Sequence, residues 1–255
     1  MSSDLRVYRQ APTEALLLRA AHVEREAAVR ERVRAVLMDR RVQIALQPIV
    51  DMSTGWTVGF EALTRIADEP DYLPEHFFAD AHEAGLGEIA ELTAVRTAVN
   101  RIGEIPPSAF LAINISPNMA TNPRLRSVLP TKELNRIVLE LTETTQVEDY
   151  PALMHALMWL RANGLRVAID DTGAGYASLR HVLAIHPEVI KLDGSVTQGI
   201  ADDPARQAMA WALAWFARKV GAQFIVEGLE TGRDVDMVMS FGVQYGQGYA
   251  LGRPR

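Results

Sequence analysis

Between Val42 and Gly248 one pattern keeps returning: a short apolar run closes on a polar residue, and a helix-forming stretch leads to the next run. The strand-like runs are Val42 to Val50, Thr57 to Thr64, Phe110 to Ser116, Arg136 to Leu141, Arg166 to Asp170, Glu188 to Leu192, Gln223 to Glu227 and, more weakly, Gly242 to Gly248. Alternation of strand and helix builds parallel βαβ units, and eight such strands can close on themselves as a barrel. The first two runs break the rule. Only Asp51 to Trp56 separates them, room for a hairpin but not for a crossover helix. The expected fold is therefore α/β, a modified (β/α)8 barrel whose first strand runs antiparallel to the second.

Helix ends fit this frame. Asp203-Pro204 opens a helix that Gly221 closes, and Pro151 opens another that stops at Asn163-Gly164, the proline-first, glycine-last asymmetry of helices. Ahead of the barrel, Thr13 to Met38 is helix-forming and dense in charge, with a sparse apolar stripe of Leu16, Val23, Val29, Val33 and Leu37. The heptads are not sustained, which favours a helix along the domain edge over a coiled coil. The alternative is a signalling helix that joins an upstream sensor domain or a partner. The expected division is an N-terminal helical segment over 1–38 and the barrel over 39–255.

With 48% hydrophobic and 23% charged residues, the 255-residue chain has the profile of a soluble globular protein. It has no cysteine, which excludes disulfides, a thiolate nucleophile and Cys-based zinc sites. No stretch has the length of a membrane span, and Met1 to Ala11 lacks a signal-peptide core, so a cytoplasmic location is expected. The net charge of −6 speaks against general nucleic-acid binding. An acidic protein can still hold a phosphate ester through bound cations.

In a parallel barrel the chemistry gathers where the strands end. The residues there are Glu61, Asn114, Glu140, Asp170 with Asp171, Lys191, Glu227 and Gln247. Residues two apart on a strand share a face, which sets Ala112 beneath Asn114, Val138 beneath Glu140, Ala168 beneath Asp170, Val189 beneath Lys191 and Ile225 beneath Glu227. Any single carboxylate here could merely cap a helix or pair with a lysine. A convergent ring of them would repel itself and take up protons unless cations hold it. Oxygen donors without cysteine or aligned histidine suit Mg2+ or Mn2+ better than zinc. The adjacent Asp170 and Asp171 suggest two ions sharing a ligand, an arrangement that clamps an attacking water and a scissile phosphate. Lys191 could orient that water or pair with one of the carboxylates.

These blocks together resemble the EAL domain. They are Gln47-Pro48-Ile49-Val50 before Glu61-Ala62-Leu63, then Asn114-Ile115-Ser116-Pro117, Glu140-Leu141-Thr142-Glu143, Asp170-Asp171-Thr172-Gly173-Ala174-Gly175-Tyr176, Lys191-Leu192-Asp193, Glu227-Gly228-Leu229-Glu230-Thr231 and Gln247-Gly248-Tyr249. The resemblance runs from Val42 to Pro254. It implies a modified TIM barrel that hydrolyses cyclic di-GMP to linear pGpG with two Mg2+ or Mn2+ ions. By the same resemblance Glu61, Asn114, Glu140 and Asp170 are ligands of one ion and Asp170 and Asp171 of the other. Glu227 stands beside the second ion as ligand or general base, and Glu227, Lys191 and Asp171 are the catalytic groups. Gln47, Arg65, Glu61, Asn114, Asp193, Glu230 and Gln247 face substrate, and Glu143 steadies the loop after Asp171. A homodimer through the barrel is implied as well.

That loop departs from the family pattern, with Thr172 in place of Phe, Ala174 in place of Thr and Ala177 in place of Ser. Gly173 and Gly175 are kept, so the turn should survive, and the changed side chains bear on how the loop communicates with a dimer. An EAL domain that binds cyclic di-GMP without cleaving it is the main alternative. A glycosidase would need only two carboxylates and leaves Asp171, Asn114 and Lys191 unexplained. No Gly-x-Ser-x-Gly or Gly-Lys-Ser/Thr loop occurs. The histidines do not gather at strand ends, and the residues around Trp159 and Trp211 are expected in the core on their helical spacing.

Overall fold

The computed structural model describes residues 14–141, 147, 149–173 and 177–255, apart from the side chains of 14–18, 20, 177 and 178. Helix α1 (Glu14–Met38) leads into the hairpin β1 (Val42–Asp51) and β2 (Trp56–Ile66), then α2 (Pro74–Glu83) and α3 (Gly87–Asn100). The chain continues through β3 (Phe110–Ile115), α4 (Pro117–Thr121), α5 (Leu125–Val128), β4 (Ile137–Leu141), α6 (Tyr150–Ala162), β5 (Arg166–Thr172) and α7 (Ala177–Ile185). It ends with β6 (Val189–Leu192), α8 (Gly194–Thr197), α9 (Pro204–Val220), β7 (Gln223–Val226), α10 (Gly232–Ser240) and β8 (Tyr245–Gly246).

The eight strands close a barrel in chain order. β1 pairs antiparallel with β2 and with β8, while every neighbour pair from β2 to β8 is parallel. The hairpin expected from the short Asp51–Trp56 spacer is thus what reverses the first strand. β8 is far shorter than the run from Gly242 to Gly248, because Gly242 turns the chain with φ of 76° and only Tyr245 and Gly246 reach the ladder. The last residue extends the β1 edge instead, with Leu46 N donating to Arg255 O at 2.8 Å and Arg255 N to Leu46 O at 3.2 Å.

The helix ends follow local chemistry. Asp203 caps α9 by accepting from the amides of Ala205 and Arg206, and Gly221 closes it in the left-handed region that glycine adopts without a Cβ clash. Asp149 caps α6 in the same way. The main core lies between barrel and helices, filled by residues such as Leu111, Ile113, Leu139, Val167, Ile169, Ile190 and Val226. Two expectations need correction here. α1 does pack along the domain edge, but through its last turns: among the described residues of the helix Val33 and Val36 are the fully buried ones, against Val42, Ile66 and Phe77, with Leu37 beside them; Val23 is 56% exposed, and the Leu16 side chain lies outside the described residues. Trp159 and Trp211 are 40% and 52% exposed and are not core. Ala210, Ala214 and Ala217 fill the barrel side of α9, so small residues let the helix sit close and its tryptophans face outward. Spacing alone does not say which of two apolar stripes is the inner one.

Candidate active site

The barrel interior is layered. Ile49, Ala112, Val138, Ala168, Val189 and Ile225 pack into one apolar layer, with Phe110 below it over a notch left by Gly59, where a Cβ would come within 2.4 Å of the ring. Because strands alternate faces, the next inward residues along the parallel strands are Asn114, Glu140, Asp170, Lys191, Glu227 and Gln247. Glu61 joins them from β2 and Gln47 from β1. The interdigitated layer beneath gives this polar layer a dry, close-packed floor.

Lys191 stands at its centre, fully buried. Its Nζ lies 2.5 Å from Glu227 Oε1, 2.9 Å from Glu140 Oε2, 3.3 Å from Glu61 Oε2 and 3.3 Å from Asp170 Oδ1. A pairing with one carboxylate was expected; the lysine reaches four. Asn114 Nδ2 donates to Glu61 Oε1 at 2.8 Å, and Gln247 Nε2 donates to Glu61 Oε2 at 2.6 Å and to Gln47 Oε1 at 3.1 Å. Gln47 Nε2 in turn donates to the Gly252 carbonyl at 3.2 Å, tying the C-terminal segment to the site.

Asp171 has a positive φ of 52°, a conformation an aspartate tolerates better than most residues. Its amide donates to Asp170 Oδ1 at 3.0 Å. Two carboxylate sets converge: Glu61, Glu140 and Asp170 form one, Asp170, Asp171 and Glu227 the other, and within each the oxygens lie within 4.8 Å of one another. Asp170 belongs to both.

Such crowding shifts the protonation equilibria. Burial, reinforced by the neighbouring carboxylates, pushes Glu140, Glu227 and Asp170 up, although the Lys191 ammonium opposes it. Burial, Asp170 and Asp193 raise Asp171 to about 7. For Glu61 burial acts upward too, but Lys191 and the donors on Gln247 and Asn114 hold it below its ordinary value. Burial would lower Lys191, yet Asp170, Glu140, Glu227 and Glu61 outweigh it and keep the ammonium charged. Carboxylates driven toward protonation by one another are the donors that a hard divalent cation satisfies. The side-chain oxygen of Gln247, Oε1, buried without a hydrogen-bond partner among the described residues, adds one more oxygen acceptor. The residues fit a hard divalent cation.

The remaining expected residues lie around this centre. Asp193 caps α8 by accepting from the Ser195 amide at 2.9 Å and its charge acts on Asp171. Arg65 is exposed, its Nη1 donating to the Thr64 carbonyl at 2.7 Å. Glu230 is exposed in the turn before α10, and no hydrogen bond joins it to the cluster among the described residues. Glu143 and Ala174 lie outside the described residues, as does the Ala177 side chain. Thr172 is buried. One support was missed: Glu91 on α3 accepts from both the amide and the hydroxyl of Ser116, each at 3.0 Å. It fixes the chain just beyond Asn114. Ser116-Pro117 reads in the sequence only as part of a motif block, and no local pattern ties it to a partner 25 residues away.

Comparisons with known proteins agree with this geometry. A profile of the EAL domain matches residues 30–254. Cyclic di-GMP phosphodiesterase PdeF of Escherichia coli K12 is 27% identical over 269 residues, covering 99% of this chain and 36% of that protein. The chain spans 28% and 33% of two further curated relatives. The Klebsiella pneumoniae BlrP1 calcium/cy-diGMP complex aligns with a TM-score of 0.72 at 29% identity, covering 84% of this chain and 56% of that one. The PaMucR phosphodiesterase c-di-GMP complex aligns with a TM-score of 0.75 at 27% identity, covering 89% and 97%. With the barrel, the carboxylate ring and the profile in agreement, the chain belongs to the EAL domain family.

Proposed function

We propose that this chain is a phosphodiesterase that hydrolyses cyclic di-GMP to linear pGpG with two Mg2+ or Mn2+ ions. The observation that carries the reading is the pair of carboxylate sets sharing Asp170. Five carboxylates, Glu61, Glu140, Asp170, Asp171 and Glu227, share the site with one ammonium, which pairs with four of them, and two divalent ions would leave the group neutral. Bound ions supply an activated water and stabilise the charge that develops on the phosphate. Glu61, Asn114, Glu140 and Asp170 would hold the first, and Asp170, Asp171 and Glu227 the second. Glu227 accepts the water's proton, and Lys191 and Asp171 orient the reacting groups. Arg65, with fixed guanidinium donors, meets phosphate or base, while Gln47, Asp193, Glu230 and Gln247 line the substrate side and Glu143 steadies the loop. The relatives named as cyclic di-GMP phosphodiesterases, and the neighbours bound to that dinucleotide, support the choice of substrate.

The reading extends to a cytoplasmic location, a helical segment over 1–38 ahead of a barrel unit over 39–255, and a homodimer. For the dimer the support is an apolar groove in which Leu179 and Leu183 of α7 face Trp211 and Trp215 of α9; such exposed apolar surface marks contact sites. The exposed stretch of α1 is where a sensor or partner would attach.

Incubation of the purified chain with cyclic di-GMP and Mg2+ or Mn2+ tests the reading, with pGpG followed by chromatography. Wild type is expected to release pGpG and Glu61→Ala to lose at least about a hundredfold in rate, in line with loss of a charge-stabilising group. Tight binding without turnover would make the chain a receptor.

A further inference from the structure

We infer that the Lys191 ammonium is a built-in rival of the metal ions for the same oxygen atoms, so that ion uptake is an exchange in which Lys191 yields carboxylates contributed by several strands. The inference rests on the two-ion reading above and adds a control on ion affinity to it.

Three observations carry it. The first is stoichiometric: an ammonium has three protons, yet Nζ lies within 3.3 Å of four carboxylates, from β2, β4, β5 and the end of β7. The second is the identity of those partners. Glu61, Glu140 and Asp170, which make up one carboxylate set, are all partners of Lys191, and so are Asp170 and Glu227 of the other. Asp171 alone stands outside its reach. An ion seated on these oxygens at the roughly 2 Å of a Mg2+ ligand would share them with a like charge a few ångströms away. The third is placement. Lys191 is fully buried on β6, so water screens the repulsion poorly, while the four-carbon stem lets the ammonium withdraw to whichever oxygen is left.

Two consequences follow. The lysine links β2, β4, β5 and β7 to β6, supplying cohesion that the carboxylates alone would oppose. It also weakens ion binding, since each ion must displace it. A role limited to orienting water predicts neither.

The test is calorimetric titration of Mn2+ alone into the full chain, wild type against Lys191→Met, with thermal unfolding of both in EDTA and across a Mn2+ series. Lys191→Met is expected to bind Mn2+ about tenfold tighter or more, to melt lower than wild type in EDTA, and to gain more from Mn2+. Lys191→Gln should shift in the same direction. Equal or weaker Mn2+ affinity, with the same Mn2+-induced rise in Tm, overturns the inference while leaving the phosphodiesterase reading intact. If Lys191→Met unfolds in EDTA, Mn2+ must restore its fold; a chain still unfolded at saturating Mn2+ also overturns it. Failure of both wild type and variant to bind Mn2+ removes the two-ion reading and the exchange together.

Discussion

Asp171 concentrates the tension of the site in one residue, since its backbone is left-handed at φ 52° and its carboxyl is shared between two other acids. Burial, Asp170 and Asp193 lift it from an ordinary 3.8 to about 7. A carboxyl whose folded pKa exceeds its unfolded one favours the fold at low pH, and that contribution is lost as pH rises through the folded value. In chelator-treated protein, Asp171→Asn should therefore gain stability over wild type as pH climbs from about 4 to about 7, with the gain level above that window. Urea unfolding of both chains across the range checks this. A constant difference would mean that Asp171 is not strained by its neighbours. On the two-ion proposal, the same displacement of a proton by an ion should make Mn2+ affinity rise with pH.

At the scale of elements, the outward face of α7 and α9 is the feature that the barrel itself does not require. Trp211 and Trp215 are about half exposed, and Leu183 is 63% exposed. Met209, two residues before Trp211 on α9, is 39% exposed and lies over Gly173, where an added side chain would meet its Cε at 3.2 Å. If the groove seats a second copy, Trp215→Glu should convert a dimer to a monomer in sedimentation velocity while leaving the circular dichroism spectrum unchanged. A dimer that persists would place the contact elsewhere. These elements also mark where sequence is legible. Ala112, Val138, Ala168, Val189 and Ile225 were readable as a floor beneath Asn114, Glu140, Asp170, Lys191 and Glu227 because a period of two is rigid in a strand. The antiparallel first strand was readable because Asp51 to Trp56 is too short for a crossover. The outward tryptophans were not, because an amphipathic helix in a two-sided environment has no sign. Glu91 holding Ser116, and Lys191 reaching four strands, depend on tertiary distances that no local pattern encodes.

For the whole molecule, the question is how much of α1 the barrel needs. Arg19 and residues 21–28 are exposed, whereas Val33 and Val36 are fully buried against Val42, Ile66, Tyr72, Phe77, Ala81 and Ala90. Arg32 lies 3.6 Å from the Tyr72 ring centroid and pairs with Glu69, which also binds Arg41 at 2.6 Å. Those ion pairs are partly solvated and contribute little each. The two valines matter more, since burying such a side chain contributes roughly 1.5–3 kcal/mol. A chain beginning at Ala28 keeps every one of these contacts, and its unfolding free energy should fall within about 0.5 kcal/mol of the full chain, the scatter expected for surface changes. A chain beginning at Arg41 uncovers Phe77 and Ile66 and should lose roughly 3 kcal/mol or more. Urea titration of the three chains decides the matter. Equal stability of all three would make α1 an appendage wholly available to a partner. The expected pattern would instead assign its last three turns to the barrel and leave only the charged stretch before Ala28 free to carry a signal.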